Sequence, residues 1–158
     1  MRIPVGAIIV SCFAVIWAAA GSRSLGRWFA ILLSISVLIS SGLIYAGSHI
    51  EPARPLTFSP KAYSISVALE AVLILLAALF LRRPDRKHLL LPVISIIVGL
   101  HFFGMVWALG SNLYWWVGGA ICLLPILTMS ILARNVWDPV VGLGCALILW
   151  LAVICAFF

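Results

Sequence analysis

Six long apolar runs, each broken from the next by a short polar stretch, account for nearly the whole chain. They cover residues 3–20, 28–48, 61–81, 89–109, 113–133 and 139–158. Each is close to the ~20 residues that a helix needs to cross the hydrocarbon core of a bilayer. Inside the runs apolar residues are continuous, without the alternation of a membrane β-barrel. Lipid offers no water to unpaired backbone groups, so such runs are expected as α-helices. The pattern therefore predicts an all-α fold, a polytopic transmembrane helix bundle of six spans in a single integral membrane domain.

The connections are short. Residues 21–27 carry Arg23 and Arg27, and residues 49–60 carry Glu51, Arg54 and three prolines. Ser59 followed by Pro60 reads as an N-cap and a first-turn proline. The turn at Gly110, Ser111 and Asn112 is tight enough to make spans four and five an antiparallel hairpin. Asp138 before Pro139 reads as a capping acid with another first-turn proline. Pro92 and Pro125 fall within spans four and five, where each is expected to remove a backbone hydrogen bond and kink its helix. Gly104 with Ala108, Gly118 with Gly119 and Cys122, and Gly142 with Gly144 and Ala146 are small-residue notches that permit close helix approach.

Composition agrees. Hydrophobic residues make up 65% of the 158 and charged residues only 9%, against about 25% charged in a soluble domain. The net charge of +6 comes from Lys and Arg at span ends and is a topology signal rather than a nucleic-acid surface. The first, third and fifth connections hold seven Lys and Arg, and the opposite side holds three. The first set is therefore expected in the cytoplasm, with both termini outside. Trp28, Tyr114, Trp115, Trp116 and Trp137 sit at span ends, as an interfacial aromatic belt does. The first run follows Met1 and Arg2 and is long for a signal-peptide core, so it is expected as a retained helix.

Two ionisable residues lie deep within spans. Glu70 is 12 residues before Arg82, and His101 is 13 residues after His88. If spans three and four are antiparallel about the basic turn between them, both residues reach the same depth, roughly 18–20 Å from that turn at ~1.5 Å per residue. Ionisable residues are expensive at such depth and mark function by default. The same count places Ser11, Cys12, Ser40, Ser41, Cys122 and Trp150 at a similar level, giving an expected polar layer. Three uses of the layer are open: exchange of a proton between Glu70 and His101, recognition of a small polar or cationic solute with Glu70 as counter-charge and Phe102, Phe103 and Trp107 as walls, or fixing of helix register. Arg82, Arg83, Arg86 and Lys87 are candidates for an anionic lipid headgroup.

Cys12, Cys122, Cys145 and Cys155 form no C-x-x-C and all lie in apolar runs, so no metal, redox or disulfide framework is expected. Histidine spacing does not fit a bis-histidine haem, and there is no glycine-rich phosphate loop or H-E-x-x-H. Neither cofactor nor catalysis is expected.

Residues 96–120 contain Gly99, Leu100, His101 and Phe102, then Tyr114 and Gly118. This resembles a group of small, uncharacterised bacterial multi-pass membrane proteins with a Gly-Leu-His-Phe helix, a short turn and an aromatic-glycine helix. In that group a proline tends to follow the His-Phe pair, where this chain has Gly104 and Met105. The resemblance implies a bacterial inner membrane and draws attention to His101; it carries no activity. The expectation adopted is a non-enzymatic protein that binds a small polar or cationic ligand, or a membrane protein partner, in the outer-half layer. An immunity-like protective or accessory role belongs to this class, and so does self-association into a homo-oligomer. The rival is a small proton-coupled or cation transporter or channel that uses Glu70 and His101.

Overall fold

The computed structural model of the chain describes residues 5–49 and 58–157. Met1 and Arg2, and the stretch with Glu51 and Arg54, lie outside the described residues. Six α-helices are present among the described residues: α1 (Val5–Ser22), α2 (Phe29–His49), α3 (Pro60–Leu81), α4 (Leu90–Leu109), α5 (Leu113–Ile131) and α6 (Trp137–Phe157). Each boundary falls within about two residues of the apolar runs. The chain divides into two compact units, Met1–Pro55 with Asp138–Phe158, and Leu56–Trp137.

By length and apolarity, five helical stretches among the described residues are able to cross a membrane. The first, Gly6–His49, is 44 residues long and contains both α1 and α2. That stretch is not one straight helix: the turn between them, Arg23–Trp28, is a short 3-10 helix broken by non-helical backbone at Gly26. Within that turn Gly26 takes φ 54°, ψ −112°, a conformation that costs a side-chain-bearing residue dearly. There the chain reverses, and α1 packs on α2.

In the first unit the packed faces are built from small residues. Ala14, Ala18, Val141, Cys145 and Ala146 are fully buried. Lipid is as apolar as leucine, so helix association in a membrane gains from close approach rather than from bulk hydrophobicity. The tightest approach is between Gly21 and Gly142: a Cβ added to Gly21 would lie 2.8 Å from the Cα of Gly142 and 2.9 Å from the carbonyl of Asp138. Gly21 therefore belongs to the packed end of α1 and not to the connection in which its position along the chain suggested. Across α1 and α2, Ser40 Oγ donates to the carbonyl of Ser11 at 3.2 Å and accepts from Trp150 Nε1 of α6 at 3.0 Å.

The second unit is a three-helix array in which α4 packs against both α3 and α5. Gly110 ends α4 in the left-handed conformation, φ 63°, with its N–H bonded to the carbonyl of Val106 at 2.9 Å, the usual glycine stop. Gly99 faces Gly118 and Cys122: its added Cβ would meet Cys122 N at 2.9 Å and Gly118 O at 3.0 Å. Gly119, expected to share this role, faces open space.

Three local expectations, at Pro92, at the Ser59 side chain and at Asp138, are corrected, while Pro60 does open α3 and Pro125 does lie where expected. Pro92 is the third residue of α4, so the amide hydrogen it lacks would have had no partner inside the helix. Pro125 does lie inside α5, and the carbonyl it frees, that of Ile121, accepts a hydrogen bond from Ser95 Oγ of α4 at 3.1 Å. The Ser59 side chain makes no cap; its N–H donates to the carbonyl of Ala108 at 2.8 Å. Asp138 lies within the first turn of α6 and does not precede it, because the 3-10 turn Arg134–Val136 starts the coil earlier.

Candidate functional site

The ionisable pair is held by two helix faces. On α3 the residues facing α4 are Ala62, Ile65, Ser66, Leu69, Glu70 and Leu73, and on α4 the facing set is Ile97, Leu100, His101, Gly104 and Trp107. Both sets follow the three-and-four spacing that places side chains on one side of a helix. Between them lies a cleft of about 370 Å³, at the small end of the ~300–1,000 Å³ typical of ligand pockets. Ser66, Glu70 and His101 bring polar side chains to its lining, and Trp107 adds an indole N–H. Gly104 sets the separation of the helices, since a Cβ there would run into Ser66 Oγ and Cβ.

At the centre, Glu70 Oε2 lies 3.4 Å from His101 Nδ1, and the two side chains are 16% and 9% exposed. Ser66 Oγ is 3.1 Å from the same Nδ1 and 3.2 Å from the His101 carbonyl oxygen. A hydroxyl has one proton to give. The arrangement that satisfies every contact has Ser66 donating to the His101 carbonyl while Nδ1–H faces both Ser66 Oγ and the Glu70 carboxylate. The ring proton on Nδ1 is assigned from this network. In that tautomer Nε2 is an acceptor, and among the described residues it has no hydrogen-bond partner. Beyond the Nδ1–H, the pair can hold one labile proton, which resides on either Nε2 of the imidazole or the carboxyl group.

The expected common depth of Glu70 and His101 is met at contact distance. Ser66 was missing from the expected set, although it lies one helical turn from Glu70 on the same face of α3. Trp107 is at the rim, 67% exposed, with its ring edge-on to Trp115 at 5.6 Å. Phe102 stands edge-on to the His101 ring at 5.9 Å and stacks on Tyr114 at 6.0 Å, so it backs the imidazole from the α5 side and does not line the cleft. Phe103 likewise turns to α5, 5.1 Å from Trp115.

Among known protein families, curated proteins and solved structures, none matches the chain.

Ser40 is on α2 in the first unit, engaged with Ser11 and Trp150, and Ser41 beside it is exposed and makes no hydrogen bond among the described residues. Neither is among the residues of the α3–α4 cleft. A single depth count grouped them with Glu70 because it measures level and not facing. The Ser11 hydroxyl is buried without a hydrogen-bond partner. Arg82, Arg83, Arg86 and Lys87 are exposed in the turn after α3, where Arg86 pairs with Asp85 at 3.4 Å. Such exposed pairs contribute roughly 0–1 kcal/mol. Near the same turn His88 and Arg134 both approach the Trp137 ring, at 5.8 Å and 6.0 Å. No group of three or more His, Cys, Asp or Glu able to hold a metal ion occurs among the described residues.

Proposed function

We propose that the chain is a six-span protein of a bacterial inner membrane, with both termini periplasmic, and that it binds a small polar or cationic ligand in the α3–α4 cleft without catalysis. The reversal at Gly26 supports counting α1 and α2 as separate spans. The excess of Lys and Arg in the first, third and fifth connections supports the orientation. One observation carries the functional reading: a carboxylate and an imidazole, 3.4 Å apart and nearly buried, form the polar floor of an otherwise apolar cleft. A pair whose role was only to hold two helices in register would need no cavity beside it.

A second reading is favoured by the same pair. Two groups that share one proton are the elementary part of a proton-coupled transporter. Purified protein in liposomes separates the two. Under the binding reading Glu70→Gln and His101→Ala weaken ligand binding, and no flux is seen for any variant. Flux in the wild-type protein that both substitutions abolish would replace binding with transport. If both variants bind as the wild type does, the pair serves helix register alone.

A membrane protein partner, or a second copy of the chain, would most readily meet α3, which buries none of its residues. The anionic headgroups of the bilayer itself would meet Arg82, Arg83, Arg86 and Lys87.

A further inference from the structure

We infer that the cleft takes a protonated amine carried on an apolar body, and that the amine enters in exchange for the proton shared by Glu70 and His101. This rests on the reading of the cleft as a ligand site and adds the class of ligand and the accompanying ion.

The class follows from what the cleft offers. An anionic headgroup would face Glu70 with no Lys or Arg in the lining. A ligand that needs donors finds few. The Ser66 proton is committed to the His101 carbonyl, and the Nδ1 proton to Ser66 Oγ and Glu70. What remains around the pair is acceptors, the carboxylate oxygens of Glu70 and the free Nε2 of His101, with the Trp107 indole N–H as a donor only at the exposed rim. An N–H-bearing cation satisfies them best, because charge-assisted hydrogen bonds are roughly twice as strong as neutral ones. The rest of the lining asks for an apolar body. Ile65, Leu69, Leu100 and Trp107 at the rim are all exposed, so such a body can slide in along the flank of α3 and α4 from the acyl chains.

The exchange follows from charge. A pair with Nδ1–H alone and an ionised carboxyl carries one negative charge, itself costly in such a site. Without a ligand Glu70 and His101 therefore hold one further proton, on Nε2 or on the carboxyl group, and are neutral together. Adding a cation to that neutral pair would leave net charge in a low-dielectric site, which is costly. Releasing the proton keeps the site neutral. The ammonium pairs with the ionised carboxylate of Glu70, His101 is left as neutral imidazole, and one proton goes to solvent. Other titratable groups do not intervene. On α3 the remaining ones are Lys61 and Tyr63, near its first turn, and neither lines the cleft. On α5, Tyr114 stacks on Phe102 and Cys122 donates to the carbonyl of Ile96 at 3.6 Å.

The test uses the full chain in lipid nanodiscs and three probes with the same tail: octylammonium, octanol and octyl sulfate. Calorimetry in buffers of different ionisation heat gives both affinity and protons released. Octylammonium is expected to bind at least about tenfold more tightly than either other probe and to release close to one proton, with affinity rising with pH. Glu70→Gln should bring the amine down to the level of octanol and end the release. Leu100→Trp, which fills the cleft, should weaken all three probes. If octanol or octyl sulfate equals the amine in the wild-type protein, or the amine binds with no proton released at any pH from roughly 5 to 9, the exchange is wrong while the cleft still stands as a ligand site. If Leu100→Trp leaves all three probes unchanged, the cleft is not the site and the ligand-binding reading falls with it.

Discussion

The contact between Ser95 and Ile121 yields the sharpest quantitative prediction. Pro125 has no amide hydrogen, so the carbonyl of Ile121, four residues earlier, loses its partner within α5. Ile121 is fully buried, so that oxygen has no water to turn to. Ser95 Oγ supplies the missing hydrogen at 3.1 Å, and Ser95, Ile121 and Pro125 are all fully buried. Ser95→Ala removes the donor and leaves almost no void. Its cost is that of leaving a buried carbonyl unpaired, about 1–3 kcal/mol. Pro125→Ala restores an amide hydrogen at the position from which Ile121 O is reached in a regular helix. In that background Ser95→Ala should cost no more than an average interhelical hydrogen bond in a membrane, about 0.6 kcal/mol. The difference, a coupling of about 1–2 kcal/mol, is the predicted quantity. Equilibrium unfolding of the four proteins in mixed micelles, followed by helical circular dichroism, measures it, and the cycle cancels whatever else either side chain does. Contacting residues should couple, whereas independent ones add to within about 0.5 kcal/mol. Additive costs would mean that Ser95 does not satisfy the carbonyl that Pro125 exposes, and that the α4–α5 interface has been misread.

Three further perturbations test other parts of the structure. Gly99→Ala forces its methyl to 2.5 Å from Cys122 Sγ and 2.9 Å from a backbone nitrogen, which should destabilise by about 1–3 kcal/mol; Gly119→Ala, facing open space, should stabilise by up to about 1 kcal/mol, and equal unfolding midpoints would contradict the packing described. A double-mutant cycle of Glu70→Gln with His101→Ala should return a coupling of about 0.6–1.7 kcal/mol, because the 3.4 Å separation is longer than the ~2.7–2.9 Å of a strong charged hydrogen bond; a coupling of zero would mean that the two do not meet. Ser40→Ala leaves Trp150 Nε1–H without its acceptor and should cost about 1 kcal/mol, most of it recovered in Trp150→Phe, as thermal unfolding of the two variants and their double would report.

What could be read along the chain was level, and what could not was facing. Apolar run length sets where a helix enters and leaves lipid, so all six helices were legible to within a turn. Counting from a shared turn sets depth, so Glu70 and His101 were expected together and are. Depth is blind to the roughly 100° that each residue rotates about its helix axis. Ser66 was overlooked because it is one turn away from Glu70 in depth, although the two share a face. Ser40 and Ser41 were counted in because the same count along the chain gave them that level, although Ser40 bonds to Ser11 and Trp150 and Ser41 is exposed. The prolines divide in the same way. That Pro125 frees a carbonyl follows from its position in the run, but the identity of the donor depends on which side of α4 turns toward it. Glycine partners are harder still, since the meeting of Gly21 with Gly142 joins residues from opposite ends of the chain. A site built of side chains on two neighbouring helices joined by a short turn is therefore the most that counting can reach in a protein of this kind. The Glu70–His101 pair is such a site, and what counting missed there, Ser66, is the residue that decides the tautomer.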